Sequence, residues 1–160
     1  PGLAFGTGTH PTTSLCLQWL DQHDVNGLHV VDYGCGSGIL ALAAALKGAA
    51  RVDGVDNDPQ ALEATAVNAE RNGVSDRVSA CLPDDFGARG ADIVLANILA
   101  GPLIELAPQI TACVKPGGRI VLSGLLAEQV DAVIAGYAAS CAVEETVVLE
   151  GWARVVLLRG

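Results

Sequence analysis

The chain has no methionine, and aromatic residues make up only 4% of it. Its core must therefore be built from Ala, Val, Leu and Ile. A start at Pro1 without any Met leads us to expect a fragment of a longer polypeptide, lacking an N-terminal part. No apolar run reaches the roughly 18 residues a membrane span needs. Nor does a basic region followed by an apolar one open the chain, so neither a membrane helix nor a secretory signal is expected, and a cytoplasmic location is the expectation. Cys16, Cys35, Cys81, Cys113 and Cys141 are dispersed with no CxxC pair. That pattern speaks against a zinc site or a disulfide framework and suits reduced thiols. Basic residues are scarce, 9 Lys and Arg against 18 Asp and Glu, a net charge of −9. Phosphate backbones are gripped by Lys and Arg, so direct binding of nucleic acid is not expected. The balance is compatible with a basic protein or a small molecule as partner, and equally with simple solubility.

With 51% hydrophobic and 17% charged residues, a 160-residue chain is expected to form one globular domain. Short apolar runs alternate with helical patterns, which predicts a parallel sheet wrapped by helices. The predicted strands are 28–32, 51–56, 78–82, 92–97 and 119–123. Two more, 145–149 and 153–158, flank a Glu-Gly-Trp turn and read as an antiparallel hairpin closing one edge. Helical spacing is read at Cys16, Trp19, Leu20 and His23, and again at Ile39, Leu42, Ala43 and Leu46 before Gly48. Asp58-Pro59 predicts an N-cap followed by proline at the first helical position, with Asn72-Gly73 as the stop. Leu103, Leu106, Ala107 and Ile110 continue the pattern across Pro108, which must kink or split that helix. Val130, Val133, Ile134 and Tyr137 mark the last one. The expected fold is α/β and Rossmann-like: a mostly parallel seven-stranded sheet with an antiparallel C-terminal hairpin and helices on both faces.

Three features carry chemistry. Asp32-Tyr33-Gly34-Cys35-Gly36-Ser37-Gly38 stands where the first strand turns into a helix, and its glycines let backbone pass close beneath a ligand. A dinucleotide fingerprint starting at Gly34 would need Gly or Ala at position 39, which is Ile39. The acid-led D-x-G-x-G-x-G loop instead points to S-adenosylmethionine, with Asp32 toward the amino end of the methionine moiety. Asp56, 24 positions after Asp32, ends the second strand, where a carboxylate can accept from both ribose hydroxyls. Asp58 before Pro59 is the better candidate for capping the next helix. Asn97 ends the fourth strand at the expected switch point, aimed at the methyl end of the cofactor. Its amide oxygen can accept a proton from an incoming amine. The position is similar to the asparagine of the N-P-P-Y motif of amino methyltransferases. Here Ile98, Leu99 and Ala100 replace the prolines and tyrosine, which favours an aliphatic amine over a planar base.

The segment Gly2–Thr13, read GLAFGTGTHPTT, resembles the opening of the catalytic domain of the PrmA family, whose members methylate the eleventh protein of the bacterial large ribosomal subunit. Asp32–Gly38, Gly54–Pro59, Asn68–Val74, Ala96–Ala100, Pro116–Gly118 and Ser123-Gly124 match that family too, so the resemblance runs nearly the whole chain. It implies a protein N-methyltransferase acting on lysine side-chain and N-terminal amines of a ribosomal protein. It also implies cofactor contacts from Thr13, Gly34, Asp56 and Asn97, to which the loop reading adds Asp32 and Gly36, with S-adenosylhomocysteine as product. Thr13 falls near the start of the leading helix, which suits the methionine carboxylate. Phe5 is a candidate wall of the pocket, His10 a candidate neighbour of substrate or a plain loop residue, and His23 and His29 carry no chemistry. The family's N-terminal substrate-recognition domain has no counterpart here, and the domain itself is expected to be monomeric. The alternatives are a methyltransferase of the same fold acting on RNA, a small molecule or another protein, a nicotinamide-binding oxidoreductase, and a non-catalytic cofactor-binding module.

Overall fold

A computed structural model describes residues 10–87 and 90–160. The segment 2–9, with Phe5, lies outside the described residues. The strands are β1 His29–Tyr33, β2 Arg51–Val55, β3 Val78–Cys81, β4 Ala91–Asn97, β5 Val114–Leu126, β6 Cys141–Leu149 and β7 Trp152–Arg159. They form one seven-stranded sheet in the order β3-β2-β1-β4-β5-β7-β6. β1 to β5 pair in parallel, whereas β7 runs antiparallel to both β5 and β6. The helices are α1 Pro11–Gln22, α2 Ile39–Leu46, α3 Pro59–Arg71, α4 Ala100–Glu105, α5 Ala107–Cys113 and α6 Val130–Ala135.

The central strands are mostly apolar because both of their faces are covered. Val30, Ile93, Leu95 and Val121 point into a cluster with Trp19 and Leu20 of α1 and Ala41 and Ala44 of α2. Their neighbours Val31, Val94, Ala96, Ile120 and Leu122 point the other way, onto Leu103, Ile110 and Val133 of α4, α5 and α6. Period-two alternation thus sorts one sheet into two cores. Pro108 splits the expected helix, with α4 ending at Glu105 and α5 starting at Ala107. Asp58 caps α3 by accepting from Gln60 N at 2.9 Å, and Gly73 follows the helix at φ +71°.

Three expectations need correction. α2 does not bury Ile39, Leu42, Ala43 and Leu46; its buried residues are Leu40, Ala41, Ala44 and Ala45, and Leu46 is 60% exposed. Every residue of this helix is apolar, so periodicity had no polar face to choose against. β5 begins before Pro116-Gly117-Gly118 rather than after it. The hairpin turn is the two-residue Glu150-Gly151, both at positive φ (+52° and +82°), which places Trp152 in β7.

Two features of this topology make a site. The chain leaves β1 toward β2 and β3 and returns to β4 on the opposite side of β1. The loops at the carboxyl ends of β1 and β4 therefore diverge and leave a crevice. The start of α1 is pinned above that crevice by three side chains from three strands. Asn97 Nδ2 donates to Thr13 Oγ1 at 3.2 Å, Ser123 Oγ donates to the Thr12 carbonyl at 3.0 Å, and buried Arg154 donates to the Leu15 carbonyl at 2.8 Å.

Candidate active site

The crevice is a cleft of about 590 Å³, within the size range of small-molecule sites. Thr13, Asp32, Gly34, Gly36, Asp56 and Asn97 all line it. The six residues singled out in the sequence are thus brought together from α1, β1, the glycine loop, the end of β2 and the end of β4.

The loop after β1 takes its shape from backbone. Gly34, Gly36 and Gly38 all sit at positive φ, +84°, +54° and +88°, where side chains are strained. Gly34 N and Cys35 N donate to the Val55 carbonyl, which ties the loop to the end of β2. Asp56 completes the tie. Its Oδ2 accepts from Gly36 N and its Oδ1 from Asp58 N, each at 3.0 Å. Each carboxylate oxygen keeps a further lone pair for the cleft. Asp56→Ala should weaken ligand binding roughly 100-fold, since hydrogen bonds to charged groups are worth about 1.5–3 kcal/mol each. Calorimetric titration of the variant with S-adenosylhomocysteine checks this, and an unchanged Kd would remove Asp56 from the binding residues.

Asp32 is 1% exposed and accepts from Ala41 N at 3.1 Å. No cationic side chain pairs with it among the described residues. Burial pushes its pKa up to about 7; the Ala41 hydrogen bond works against that rise and the nearby Asp56 charge adds to it. A buried acid of this kind at the floor of a cleft calls for a cation from outside. Burial also pushes the thiols of Cys16 and Cys35 up to about 12, with the Asp32 charge adding to both. Cys35 lines the cleft, yet at neutral pH it is not a thiolate nucleophile.

At the other side of the cleft, Asn97 directs Nδ2 to Thr13 while its Oδ1 is buried without a partner among the described residues. Apolar Ile98, Leu99, Pro102 and Leu106 continue the wall from there, with Leu99 56% exposed at the rim. Pro102, Leu106 and Pro83 were not picked out from sequence. Pro83 could have been, because it follows β3 at its carboxyl end, the side of the sheet where ligands lie.

The histidines stand apart from the cleft lining. His10 caps α1, its Nδ1 accepting from Thr12 N at 3.2 Å, and its ring meets Trp152 edge-on at 5.2 Å. His23 stacks on Trp19 at 4.1 Å. His29 Nε2 lies 2.6 Å from Asp53 Oδ2 at the start of β1, the end of the strand away from the cleft. Among the described residues no group of three or more His, Cys, Asp or Glu is placed to hold a metal ion. No helix among them is long and apolar enough to cross a membrane.

A mostly parallel sheet of this order, with an antiparallel β7, a glycine loop after β1 and an acid after β2, is the Rossmann-like fold of S-adenosylmethionine-dependent methyltransferases. The RNA methyltransferase of Salinibacter ruber, solved with S-adenosyl-L-homocysteine, shares that fold at a TM-score of 0.71 and 23% identity, over 89% of this chain and 88% of that one. The chain belongs to the PrmA family, described as ribosomal protein L11 methyltransferase, whose model matches residues 1–159. It is 59% identical over 160 residues to the ribosomal protein L11 methyltransferase of Methylococcus capsulatus, covering 99% of this chain and 55% of that protein. It is also similar to the ribosomal protein L11 methylase structure from Lactobacillus delbrueckii subsp. bulgaricus, with TM-score 0.87 and 30% identity over 95% of this chain and 80% of that one. The chain spans about half the length of the curated relatives it matches, 53% and 55% for two of them.

Proposed function

We propose that this chain binds S-adenosylmethionine and transfers its methyl group to lysine side-chain and N-terminal amines of a large-subunit ribosomal protein. One observation carries the reading. A single cleft joins an unpaired buried carboxylate, a ribose-competent carboxylate and an unpartnered amide oxygen. Asp32 suits the ammonium of the methionine moiety, and the start of α1 at Thr13 suits its carboxylate through the helix dipole. Gly34 and Gly36 allow close backbone approach, and Asp56 suits the ribose hydroxyls. The bound cofactor supplies an electrophilic methyl on a sulfonium.

The protein's own part is alignment and desolvation. Alignment in a closed cleft can supply about 7–11 kcal/mol toward such a transfer. The amine must be neutral to attack. That costs roughly 4–5 kcal/mol for a lysine at pH 7 and only about 1 for an α-amine. With the Cys35 thiol held neutral, no sulfur nucleophile diverts the methyl, and we assign deprotonation to solvent. Asn97 Oδ1 accepts from the amine and turns its lone pair to the methyl. Ile98, Leu99 and Pro102 form an apolar wall that suits an aliphatic stem. We assign the grip on the ribosomal protein to the portion of the relatives that this chain does not match. We expect a monomer working in the cytoplasm; edge strand β6 carries the exposed acids Glu144 and Glu145, paired with Arg119 and Arg154, and charge on an edge strand discourages edge pairing.

Asn97→Ala should lower kcat by about 100-fold with cofactor Kd changed less than about threefold, as loss of an interaction made mainly in the transition state requires. Equal losses in kcat and affinity would end that role. The function itself is tested by incubating the protein with labelled S-adenosylmethionine and unassembled bacterial ribosomal proteins, then locating label by mass spectrometry. Methyl increments on lysines or the N-terminus of one large-subunit protein support the reading. Label on RNA in a parallel incubation, with none on protein, overturns it.

A further inference from the structure

An exposed apolar surface runs from the wall of the cleft over the back of α4 to α6. Leu99, 56% exposed, and exposed Pro102 line the cleft. Ile104, two residues beyond Pro102 and so on the other flank of α4, is 40% exposed and does not line it. Gly101 tops the helix between those flanks, and a Cβ there would meet nothing within 4 Å. On α6, a Cβ on exposed Gly136 would stand 3.8 Å from Ile104 Cγ2, and exposed Ala132, one turn earlier, shares its face. Tyr137 Oη donates to the Leu103 carbonyl at 2.6 Å and holds the two helices together. A lone exposed leucine needs no explanation, whereas an apolar surface continuous with a cleft wall marks a contact.

The charge around this surface has one sign. From Ala91 to Val114, and again from Ile120 to Ala153, the chain has no Lys or Arg, and these stretches hold α4, α5 and α6. Glu105, Glu128 and Asp131 are exposed there. Such a face repels a phosphate backbone and attracts a basic polypeptide. Reach brings the polypeptide to it. A lysine enters the cleft on a four-carbon stem and an α-amine on none, so the chain carrying the amine must cross the rim. The glycine loop and Asp56 occupy one side of the cleft with cofactor, which leaves the side of Leu99 and Pro102.

We propose that the surface from Leu99 and Pro102 across Gly101 to Ile104 and Gly136 seats the basic, partly apolar polypeptide segment that carries the acceptor amine. The proposal rests on the function given above and deepens it. The grip on the ribosomal protein as a whole stays with the portion of the relatives that this chain does not match. The seat acts on the few residues beside the amine: its apolar part makes contact, and its acids select the sign of the partner.

The test uses residues outside the cleft. Gly101→Lys and Gly101→Glu place long side chains of opposite charge in open space, and Ile104→Ser removes apolar contact. Turnover on the ribosomal-protein substrate gives KM and kcat, and calorimetry with S-adenosylhomocysteine gives cofactor Kd. Gly101→Lys should raise KM about 5–20-fold and Ile104→Ser about 3–10-fold, with Gly101→Glu within about twofold of the parent. In all three, kcat and cofactor Kd should stay within about twofold, and urea midpoints should show that each is folded. Raising salt from about 0.05 to about 0.5 M should raise KM more in the parent than in Gly101→Lys. An equal rise in Gly101→Lys and Gly101→Glu overturns the proposal, as does a loss of cofactor affinity with KM unchanged. A parent that sediments as a dimer, with Gly101→Lys a monomer, would give the surface to a second copy of this chain and overturn it too. A parent that labels no ribosomal protein ends the proposed function, and this proposal with it. A parent that labels one, with KM indifferent to all three variants, ends this proposal alone.

Discussion

Gly124→Ala is expected to cost about 3–5 kcal/mol of stability and to abolish methyl transfer in whatever fraction stays folded. Gly124 sits at φ +95°, a conformation that costs a side chain about 1–3 kcal/mol. A Cβ there would also stand 2.2 Å from the carbonyl oxygen of Ile98, 2.7 Å from its carbon and 2.9 Å from its nitrogen. These are backbone atoms, and Ile98 N is itself tied to the Ser123 carbonyl at 3.1 Å. The segment cannot retreat toward the glycine loop either, because Ile98 Cγ2 already lies 2.5 Å from where a Cβ on Gly34 would be. Overpacking of this kind adds about 1–3 kcal/mol to the backbone term. Ile98 is the neighbour of Asn97, so relief by movement would misplace the amide. Gly73→Ala is the control: it has φ +71° but nothing within 4 Å, and it should cost only about 1 kcal/mol. Urea unfolding of both variants checks the difference. Equal costs would mean that the Ile98 segment yields freely and does not fix Asn97.

That clamp illustrates what the sequence hid. Ser123-Gly124 could be matched to a family by eye, but nothing in the local pattern says that its glycine is needed for a backbone at the end of the neighbouring strand, many residues away. The readable features were those decided by short-range chemistry. Asp58-Pro59 and Asn72-Gly73 mark the ends of α3 because capping and left-handed stops are local effects. Short apolar runs announce buried parallel strands, and their alternation with helices determines the switch point at which Asp32, Asp56 and Asn97 meet. The face of α2 was not readable, because an all-apolar helix carries no local preference and only the sheet beneath it decides. The anchoring of α1 by Arg154 was equally hidden, since that contact joins residues at opposite ends of the chain and leaves no periodic trace.

Asp32→Asn should raise the stability of the ligand-free domain at pH 8 by about 1–3 kcal/mol and weaken cofactor binding about 10–100-fold. The two effects have one cause. Burial, with the Asp56 charge adding to it, lifts the Asp32 pKa to about 7 in the fold. In the unfolded chain it is near the ordinary carboxylate value of about 3.9. Between those values the unfolded state has lost its proton and the folded state keeps it, so stability falls as pH rises. The contribution is intact below about pH 4 and gone by about pH 7, some 4 kcal/mol across the window at one pKa unit per 1.36 kcal/mol. Asparagine removes the charge and can still accept from Ala41 N, while its added N–H groups take back part of the gain. Denaturant midpoints should therefore decline from pH 4.5 to pH 8 by less in Asp32→Asn than in the parent. Binding runs the other way. A ligand bearing an ammonium favours ionised Asp32, so parent affinity should rise up to tenfold per pH unit below about pH 7 and then level off. Asp32→Asn should bind weakly with a flat profile. A variant that is both less stable and unchanged in affinity would show that Asp32 serves the loop rather than the ligand. A stabilised variant with lost affinity would show that the fold carries a destabilising charge kept for the molecule it binds.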